Sequence, residues 1–354
     1  LSGIQDELLS LLREAPHLSL LATSRRSLSL QCEHVFRVGG LGVPTMPADD
    51  VEYMGCDAEA VQLFIERARR VAPDFALDGG NVTAVVEICR AVQGMPLGII
   101  LAAGWLDVLT PREILAQLEQ RGRAMFTLLE SDAADLPVRH RSLWAVIDSL
   151  WSMLSVREKA VFAGLSIFRD GFDFPAARAV TDATPGELRR LVAASCLQRA
   201  ADDEGARYSI HALLRQYAWE HLHRNRAAEA EAHERHAGYY IDFLAANEVA
   251  LDGKDQTAVL QTFSRDGENI RAAWTWAAEH GQVDRMSRGL ETLCRAYDWL
   301  GYAQEGEAAC LLAAAHVTPA AGSAAVRLLA RIDAWLGVFC SQLADYDAAH
   351  TYRE

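Results

Sequence analysis

The fold of the first half of the chain is decided by the stretch Ile88-Cys89-Arg90-Ala91-Val92-Gln93-Gly94-Met95-Pro96-Leu97-Gly98-Ile99-Ile100-Leu101-Ala102-Ala103. Proline lacks the N–H that a first helical turn leaves unpaired, so a helix is predicted to begin near Pro96. Asn81 is predicted to cap the preceding helix. Gly94 then lies in the turn between two helices, where glycine tolerates backbone angles that other residues avoid.

Helical patterns continue on both sides of this stretch. Residues 57–130 are typical of helices, and Thr110-Pro111-Arg112-Glu113 is a capping box with proline at the first helical position. The polar residues 131–140 include Pro137 and are predicted to form a linker. The sequence therefore predicts a small helical domain that ends near residue 135.

Residues 143–220 follow the order of a winged helix. Ser155-Val156-Arg157-Glu158 is a second capping box, and further helices are predicted at 174–181 and 185–196. Two short strands are predicted around Asp202-Asp203-Glu204-Gly205, and a helix is predicted to follow from Ala212.

The chain beyond residue 225 is alanine-rich and helical throughout. Gly or Pro interrupts it at intervals of roughly one helix pair, and residues 302–315 resemble residues 345–352 in pattern. This pattern favours an α-solenoid, and a single helical bundle is the alternative.

The beginning of the chain carries Leu20-Leu21-Ala22-Thr23-Ser24-Arg25. Residues 18–22 are predicted to form a strand buried on both faces, at the edge of an α/β unit, and residues 35–38 a second short strand. An arginine at the end of a buried strand is well placed to bind phosphate, because its planar fork of donors is always charged. No glycine-rich phosphate loop accompanies it, so we expect only the far half of a nucleotide-binding domain.

Composition limits the classes of function. The 354 residues are 51% hydrophobic and carry a formal net charge of −14, which disfavours nonspecific DNA binding because such binding needs a basic face. The seven cysteines include no CxxC pair, as is typical of reduced thiols in a cytoplasmic protein. No apolar run is long enough to span a membrane. The first residue is not methionine and the last lies in a helical pattern, as expected of an excerpt from a longer protein.

Four stretches, in order along the chain, resemble the STAND class of signalling ATPases, whose core is of the NB-ARC or AP-ATPase type. The nearest likeness is to its bacterial transcriptional regulators. The four stretches are residues 20–25, similar to the sensor-1 strand of the family; 88–97, similar to its GxP motif; 154–172 with 208–222, similar to the entry and exit of its winged helix; and 266–274, Asp266-Gly267-Glu268-Asn269-Ile270-Arg271-Ala272-Ala273-Trp274, which together with 299–311 looks like its TPR-like region.

The resemblance implies a mainly α chain of four domains. These are the C-terminal part of an α/β P-loop nucleotide-binding domain in residues 1–45, a helical lid in 46–135, a winged helix in 136–225 and a TPR-like α-solenoid that acts as a sensor in 226–354.

The resemblance also implies an ADP/ATP-gated switch in signal transduction. The winged helix would close on the nucleotide, and an inducer protein or small molecule would bind the TPR-like region, with oligomerisation on activation. The full protein would be a slow regulatory ATPase that uses Mg²⁺, and neither the Mg²⁺ ligands nor a catalytic residue is expected in this chain. Direct DNA binding and membrane contact are not expected.

Six residues are candidates for binding the nucleotide. By the resemblance, Arg25 reads the terminal phosphate, Pro96 packs on the adenine ring and His211 contacts the β-phosphate of ADP. Thr23 and Ser24 end the same strand as Arg25, and Gly94 serves the turn before Pro96. The family has aspartate after the histidine, whereas this chain has Ala212.

Other side chains have structural interpretations beside functional ones. The histidine group His221, His223, His233 and His236 favours a solvated helix over a metal site, because arginines lie among its members. Arg189 and Arg190 favour internal packing over DNA reading. The tryptophans Trp274, Trp276, Trp299 and Trp335 favour solenoid core, with a ligand or partner groove as the alternative. Two further functions stay open for the chain: a TPR-type interaction scaffold with a degenerate nucleotide domain, and a winged-helix DNA-binding protein.

Overall fold

The computed structural model describes residues 2–15, 17–23, 30–36, 38–44, 58–119, 143–202, 205–318 and 322–352. These residues are mainly helical with one small sheet, which confirms the predicted helical class. They fold as two compact units. Unit 1 comprises Leu1–Ala163, Pro185–Gln198 and Ile210–His221, and unit 2 comprises Gly164–Thr184, Arg199–Ser209 and Leu222–Glu354. The four predicted domains stay predictions.

The elements follow the predicted order over most of the chain. The helices are α1 Ser2–Glu14, α2 Glu59–Val71, α3 Val82–Ala91, α4 Pro96–Ala103, α5 Pro111–Glu119, α6 Leu143–Ser152, α7 Val156–Leu165, α8 Phe174–Thr181, α9 Pro185–Ala193, α10 Ala212–His223, α11 Arg226–Ala246, α12 Gln256–Arg265, α13 Gly267–Glu279, α14 Val283–Leu300, α15 Ala303–His316, α16 Ser323–Gln342 and α17 Tyr346–Thr351. The strands are β1 Phe172–Asp173, β2 Gln198–Asp202 and β3 Gly205–Ser209.

The core of unit 1 lies among helices α2 to α6 and the first turns of α10. Its largest fully buried side chains include Phe64, Ile88, Ile99, Ile114 and Tyr217. Burial of one such side chain contributes about 1.5–3 kcal/mol to folding, so this cluster is the main reason why the short helices hold together.

Both predicted capping boxes form. Thr110 N–H donates to Glu113 at 2.8 Å, and Ser155 N–H donates to Glu158 at 2.8 Å. The Ser155 bond is the main cause that lowers the pKa of Glu158. Each box satisfies N–H groups that a helix start leaves unpaired, and this fixes where α5 and α7 begin.

Two ion pairs join α7 to α9. Arg190 Nε lies 2.5 Å from Glu158, and Arg157 Nε lies 3.1 Å from Glu187. Both carboxylates belong to largely buried side chains. Both Arg189 and Arg190 are exposed, so the prediction of internal packing is wrong for their side chains, although Arg190 reaches back to the buried Glu158.

The sheet has the strand order β1-β3-β2 and contains the predicted hairpin of β2 and β3. The sequence did not predict β1. It pairs antiparallel with β3, so that Phe172 lies opposite Tyr208 and Asp173 opposite Arg207. A two-residue strand carries too short a pattern to be detected by alternation.

Unit 2 continues from the sheet into stacked helices. Helix α11 packs on α13 and α14. Helix α13 packs against α14 and α15, and α14 packs against α15 and α16. Helix α15 packs against α16, and α16 packs against α17. No described helix is long and apolar enough to cross a lipid bilayer.

The strands predicted at 18–22 and 35–38 are wrong. Residues 18–23 are irregular, and Leu21 is fully exposed. Phe36 is 89% exposed and also lies in irregular chain. A strand buried on both faces needs neighbouring strands, and within the described ranges none pairs with either segment. Only the two strand predictions are wrong; the α/β domain predicted for residues 1–45 stays a prediction.

Asn269, in the stretch that resembles a TPR start, is a hub inside unit 2. It is fully buried, and its Oδ1 accepts a bond of 2.8 Å from Arg169 N–H. Its Nδ2 donates to Gly171 C=O at 2.8 Å. Three residues earlier, Asp266 pairs with Arg207 on β3 at 2.9 Å. This short segment therefore fixes the 169–171 loop and β3 against the helices.

We expect Asn269→Ala to lower the free energy of unfolding by about 2–4 kcal/mol, because Arg169 N–H would lose its partner and Gly171 C=O would keep only the longer bond of 3.3 Å from Arg207. Asn247→Ala is the matched control. Its amide donates only to Phe243 C=O one turn back, so we expect a loss below about 1 kcal/mol. Urea unfolding followed by circular dichroism measures both, and equal losses would contradict the hub.

Candidate functional site

The candidate site is built on the turn between α3 and α4. Gln93 and Gly94 both have positive φ, at 49° and 67°. Gly94 N–H donates to Cys89 C=O at 2.9 Å, which closes the end of α3. The left-handed backbone reverses the chain within three residues, so that α4 can begin at Pro96 as predicted.

A loop from the beginning of the chain packs on this turn. Leu41 N–H donates to Gly94 C=O at 2.9 Å. A Cβ atom on Gly94 would overlap the carbonyl oxygen of Leu41, and one on Gly40 would overlap that of Gln93. The two backbones can approach this closely only because Gly40 and Gly94 lack side chains.

Arg90 holds the same loop from the other side. Its Nε and Nη2 donate to Pro44 C=O at 2.9 and 2.7 Å, and its Nη1 pairs with Glu87. These bonds use most of the donors of this guanidinium. Arg90 therefore supports the loop, and its charge is already offset by a carboxylate.

Pro96 lies at the first position of α4 and is exposed. Its ring presents a rigid apolar surface that has no donor. Met95, just before it, is half-buried and packs against the core of unit 1. The turn thus offers an apolar face at the surface with firm support below it.

The first residue of α10 contacts the same turn. Ala212 N–H donates to Gln93 Oε1 at 3.2 Å. This bond joins residues that are 119 positions apart. It also satisfies an N–H group that the start of α10 would otherwise leave without a hydrogen bond. The structure therefore brings the predicted residues Gly94, Pro96 and His211 into one region of unit 1.

His211 is neutral at pH 7. Burial lowers its pKa to about 4, because desolvation disfavours the charged imidazolium. Its Nδ1 accepts a bond of 3.3 Å from Leu213 N–H, so the ring proton resides on Nε2. No described residue pairs with Nε2, which leaves this N–H as a hydrogen-bond donor for a ligand.

Helix α10 is held firmly behind His211. Tyr217 hydroxyl donates to Asp148 on α6 at 2.6 Å. The Tyr217 ring lies 4.4 Å from that of Trp144, and His221 stacks on Trp151 at 4.2 Å. These contacts fix the position of His211 relative to the core.

The remaining predicted site residues are not assembled here. Arg25 and Ser24 lie outside the described residues. Thr23 is exposed in irregular chain. The sequence did not single out Gln93 or Arg90, since a polar side chain in a turn carries no periodic signal. Gly40 in the loop and Gly94 in the turn are the sequence features that relate to the close approach of these two backbones.

The four histidines of the group, two in α10 and two in α11, have structural partners. His221 stacks on Trp151, His223 lies 2.8 Å from Glu229, and His233 stacks on Trp276 at 4.6 Å. His236 is buried, and its Nε2 lies 3.4 Å from Asn269 Oδ1. No group of three or more metal-ligating side chains occurs in the part of the chain that the structure describes.

Two mycobacterial proteins are similar to the chain. The Mycobacterium tuberculosis protein named "Putative HTH-type transcriptional regulator Rv0890c" is 35% identical over 281 residues, which cover 77% of this chain and 30% of that protein. The "Uncharacterized protein Rv0894" of the same organism is 34% identical over 229 residues, which cover 62% of this chain and 54% of that protein. The chain thus spans under a third of the first relative and about half of the second.

One solved structure is also similar. It is a Signal Transduction ATPase with Numerous Domains (STAND) protein with a tetratricopeptide repeat sensor, PH0952 from Pyrococcus horikoshii. The identity is 16%, the TM-score is 0.28, and the match covers 71% of this chain and 38% of that one. No family model matches the chain.

We expect Gly94→Ala to lower the free energy of unfolding by about 2–4 kcal/mol, because the new Cβ combines positive φ with overlap on Leu41. Gly104→Ala is the control. Gly104 has φ −62° and no atom near its added Cβ, so its effect should stay within about 1 kcal/mol. Chemical denaturation measures the pair. A harmless Gly94→Ala would show that the close contact does not exist.

The low pKa of His211 predicts a loss of stability in acid. The unfolded residue takes up a proton near pH 6.5 and the folded one near pH 4, so its contribution is complete above pH 6.5 and falls as the pH drops to 4. His211→Gln should remove about 1–3 kcal/mol of this loss. Urea titrations at pH 7, 5.5 and 4.5 test this, and parallel curves for parent and variant would refute it.

Proposed function

We propose that the chain is part of an ADP/ATP-gated signalling switch of the STAND kind. One observation carries the proposal. The turn that carries the candidates Gly94 and Pro96 is joined by the Gln93–Ala212 hydrogen bond to the segment that carries the candidate His211. A winged helix that closes on a nucleotide beside a helical lid needs such a junction.

The chemistry of the junction suits ADP. Pro96 supplies an exposed apolar surface of the kind that an adenine ring can pack on, and Met95 next to it packs against the core. His211 Nε2–H is an unused donor on a rigid helix start, and it can bind a phosphate oxygen while the ring stays neutral. The negative charge of bound phosphate would raise the pKa of His211 and strengthen this bond.

The other proposed contacts come from outside the junction. Arg25 would read the terminal phosphate, with Thr23 and Ser24 beside it. Mg²⁺ would be held by residues that this chain does not supply. When bound, the nucleotide supplies the phosphate charge on which the gate depends.

The Gln93–Ala212 bond gives the gate a defined closed contact. Opening would separate α10 from the turn and break this bond together with the contacts of His211. To move the switch from mostly closed to mostly open, an inducer must favour the open state by about 5.5 kcal/mol. The stacked helices α11 to α17 offer a large surface for such an inducer.

The output we propose is transcriptional regulation, since one relative is named as a transcriptional regulator. Direct DNA reading by residues 136–225 is the weaker alternative, because Arg157 and Arg190 are paired with buried carboxylates. A scaffold without nucleotide binding is the other alternative. Such a scaffold would bind partners through the stacked helices, and it would give no role to the His211 Nε2–H donor.

The test is ADP affinity, measured by calorimetry on the gene product that contains residues 1–354. His211→Ala should weaken binding about tenfold or more, because a hydrogen bond to a charged phosphate is lost. His350→Ala, an exposed histidine on α17, should leave the affinity unchanged.

Three outcomes would count against the switch. The first is ADP binding that His211→Ala does not affect, and the second is the absence of ADP binding in the parent protein. The third is sustained ATP turnover by residues 1–354 alone, since the proposal places no catalytic group in them.

A further inference from the structure

A groove in unit 2 has the features of a small-molecule site. It lies among α13, α14 and α15 and has a volume of about 390 Å³. Pockets for small ligands typically measure about 300–1,000 Å³. The groove lining includes Arg271, Trp274, Tyr297, Gln304, Glu305 and Ala308.

The floor of the groove is apolar and aromatic. Trp274, Leu293 and Tyr297 are at most 4% exposed. Trp274 Nε1–H donates to Ala309 C=O at 3.0 Å. Burial raises the pKa of Tyr297, which keeps its hydroxyl protonated. The floor therefore offers ring surface and little competing polarity to a bound molecule.

The rim carries an excess of negative charge. Arg271 Nη1 lies 2.6 Å from Glu268, so a carboxylate already offsets its charge. Glu305 lies across the groove on α15 and forms no close ion pair with a described residue, although its charge acts on Arg271 from a distance and helps to raise the pKa of that guanidinium. Gln304 beside it also keeps its amide uncommitted within the described part of the chain. The two carboxylates of Glu268 and Glu305 carry more negative charge than the single Arg271 guanidinium can offset.

We propose that this groove binds a small amphipathic monocation, with a flat apolar body on the floor and an amine paired with Glu305. Aromatic faces attract cations, and a charged amine can bond to the Glu305 carboxylate and the Gln304 oxygen together. An anion would be repelled by the Glu305 carboxylate, and Arg271 would attract it less because Arg271 already forms an ion pair with Glu268. The role of this site as the input of the switch rests on the proposed function, whereas the binding itself does not.

Calorimetry on residues 1–354 tests whether the groove prefers a cation. The three probes share an indole ring and differ in charge. Tryptamine is cationic, N-acetyltryptamine is neutral and indole-3-propionate is anionic. We expect one tryptamine per chain, about tenfold weaker binding of the neutral probe and none of the anion, because a charge-assisted bond is lost. No nucleotide is present, so failure here leaves the ADP test unaffected.

Two variants locate the binding. Glu305→Gln should bring tryptamine down to the affinity of N-acetyltryptamine. Glu279→Gln removes the same charge at an exposed position of α13 that does not line the groove, and it should change nothing. Ala308→Trp adds a ring to the groove wall and should abolish binding of both probes, which keeps the test decisive if Glu305→Gln fails to fold.

Several results would overturn the proposal. These are the absence of saturable tryptamine binding, equal affinity for the cationic and anionic probes, and binding that survives Ala308→Trp in a variant whose circular dichroism matches the parent. A preference for the anion would assign the groove to Arg271 and would reject the cation.

Discussion

The backbone contact at Gly94 is the constraint on which the candidate site depends. Positive φ at Gln93 and Gly94 ends α3 and lets Pro96 begin α4. The same turn accepts Leu41 N–H on one side and, through the Gln93 side chain, Ala212 N–H on the other. A Cβ atom at Gly94 would disturb all of these contacts, because each depends on the path of one short turn.

Unit 2 depends on a different kind of interaction. Asn269 and Asp266 belong to one short segment: Asn269 bonds to Arg169 N–H and Gly171 C=O, and Asp266 pairs with Arg207. Burial raises the pKa of the Asp266 carboxyl while Arg207 beside it opposes the shift. Buried His236 stays neutral for the same reason, since desolvation lowers its pKa to about 3. A stretch that resembles the start of a repeat therefore also fastens the sheet to the helices.

The two units place their polar groups in different ways. Near Gly94, His211 Nε2–H offers a donor to a ligand, since Nδ1 already accepts from Leu213 N–H. In the groove of α13 to α15, the Glu305 carboxylate and the Gln304 side-chain oxygen offer acceptors. The first arrangement suits an anion and the second suits a cation, because each supplies the partner that its ligand lacks.

The sequence by itself determined the helices, the two capping boxes and the β2–β3 hairpin. These depend on neighbouring residues, since proline at a first turn, a serine–glutamate pair and alternating strands act over a few positions. Tertiary structure alone decided the rest. The strand expected at 18–22 does not form because the described residues provide no strand beside it. The Gln93–Ala212 bond, the pairing of β1 and the charge balance around Glu305 join residues far apart in the chain, and no local pattern records such distances.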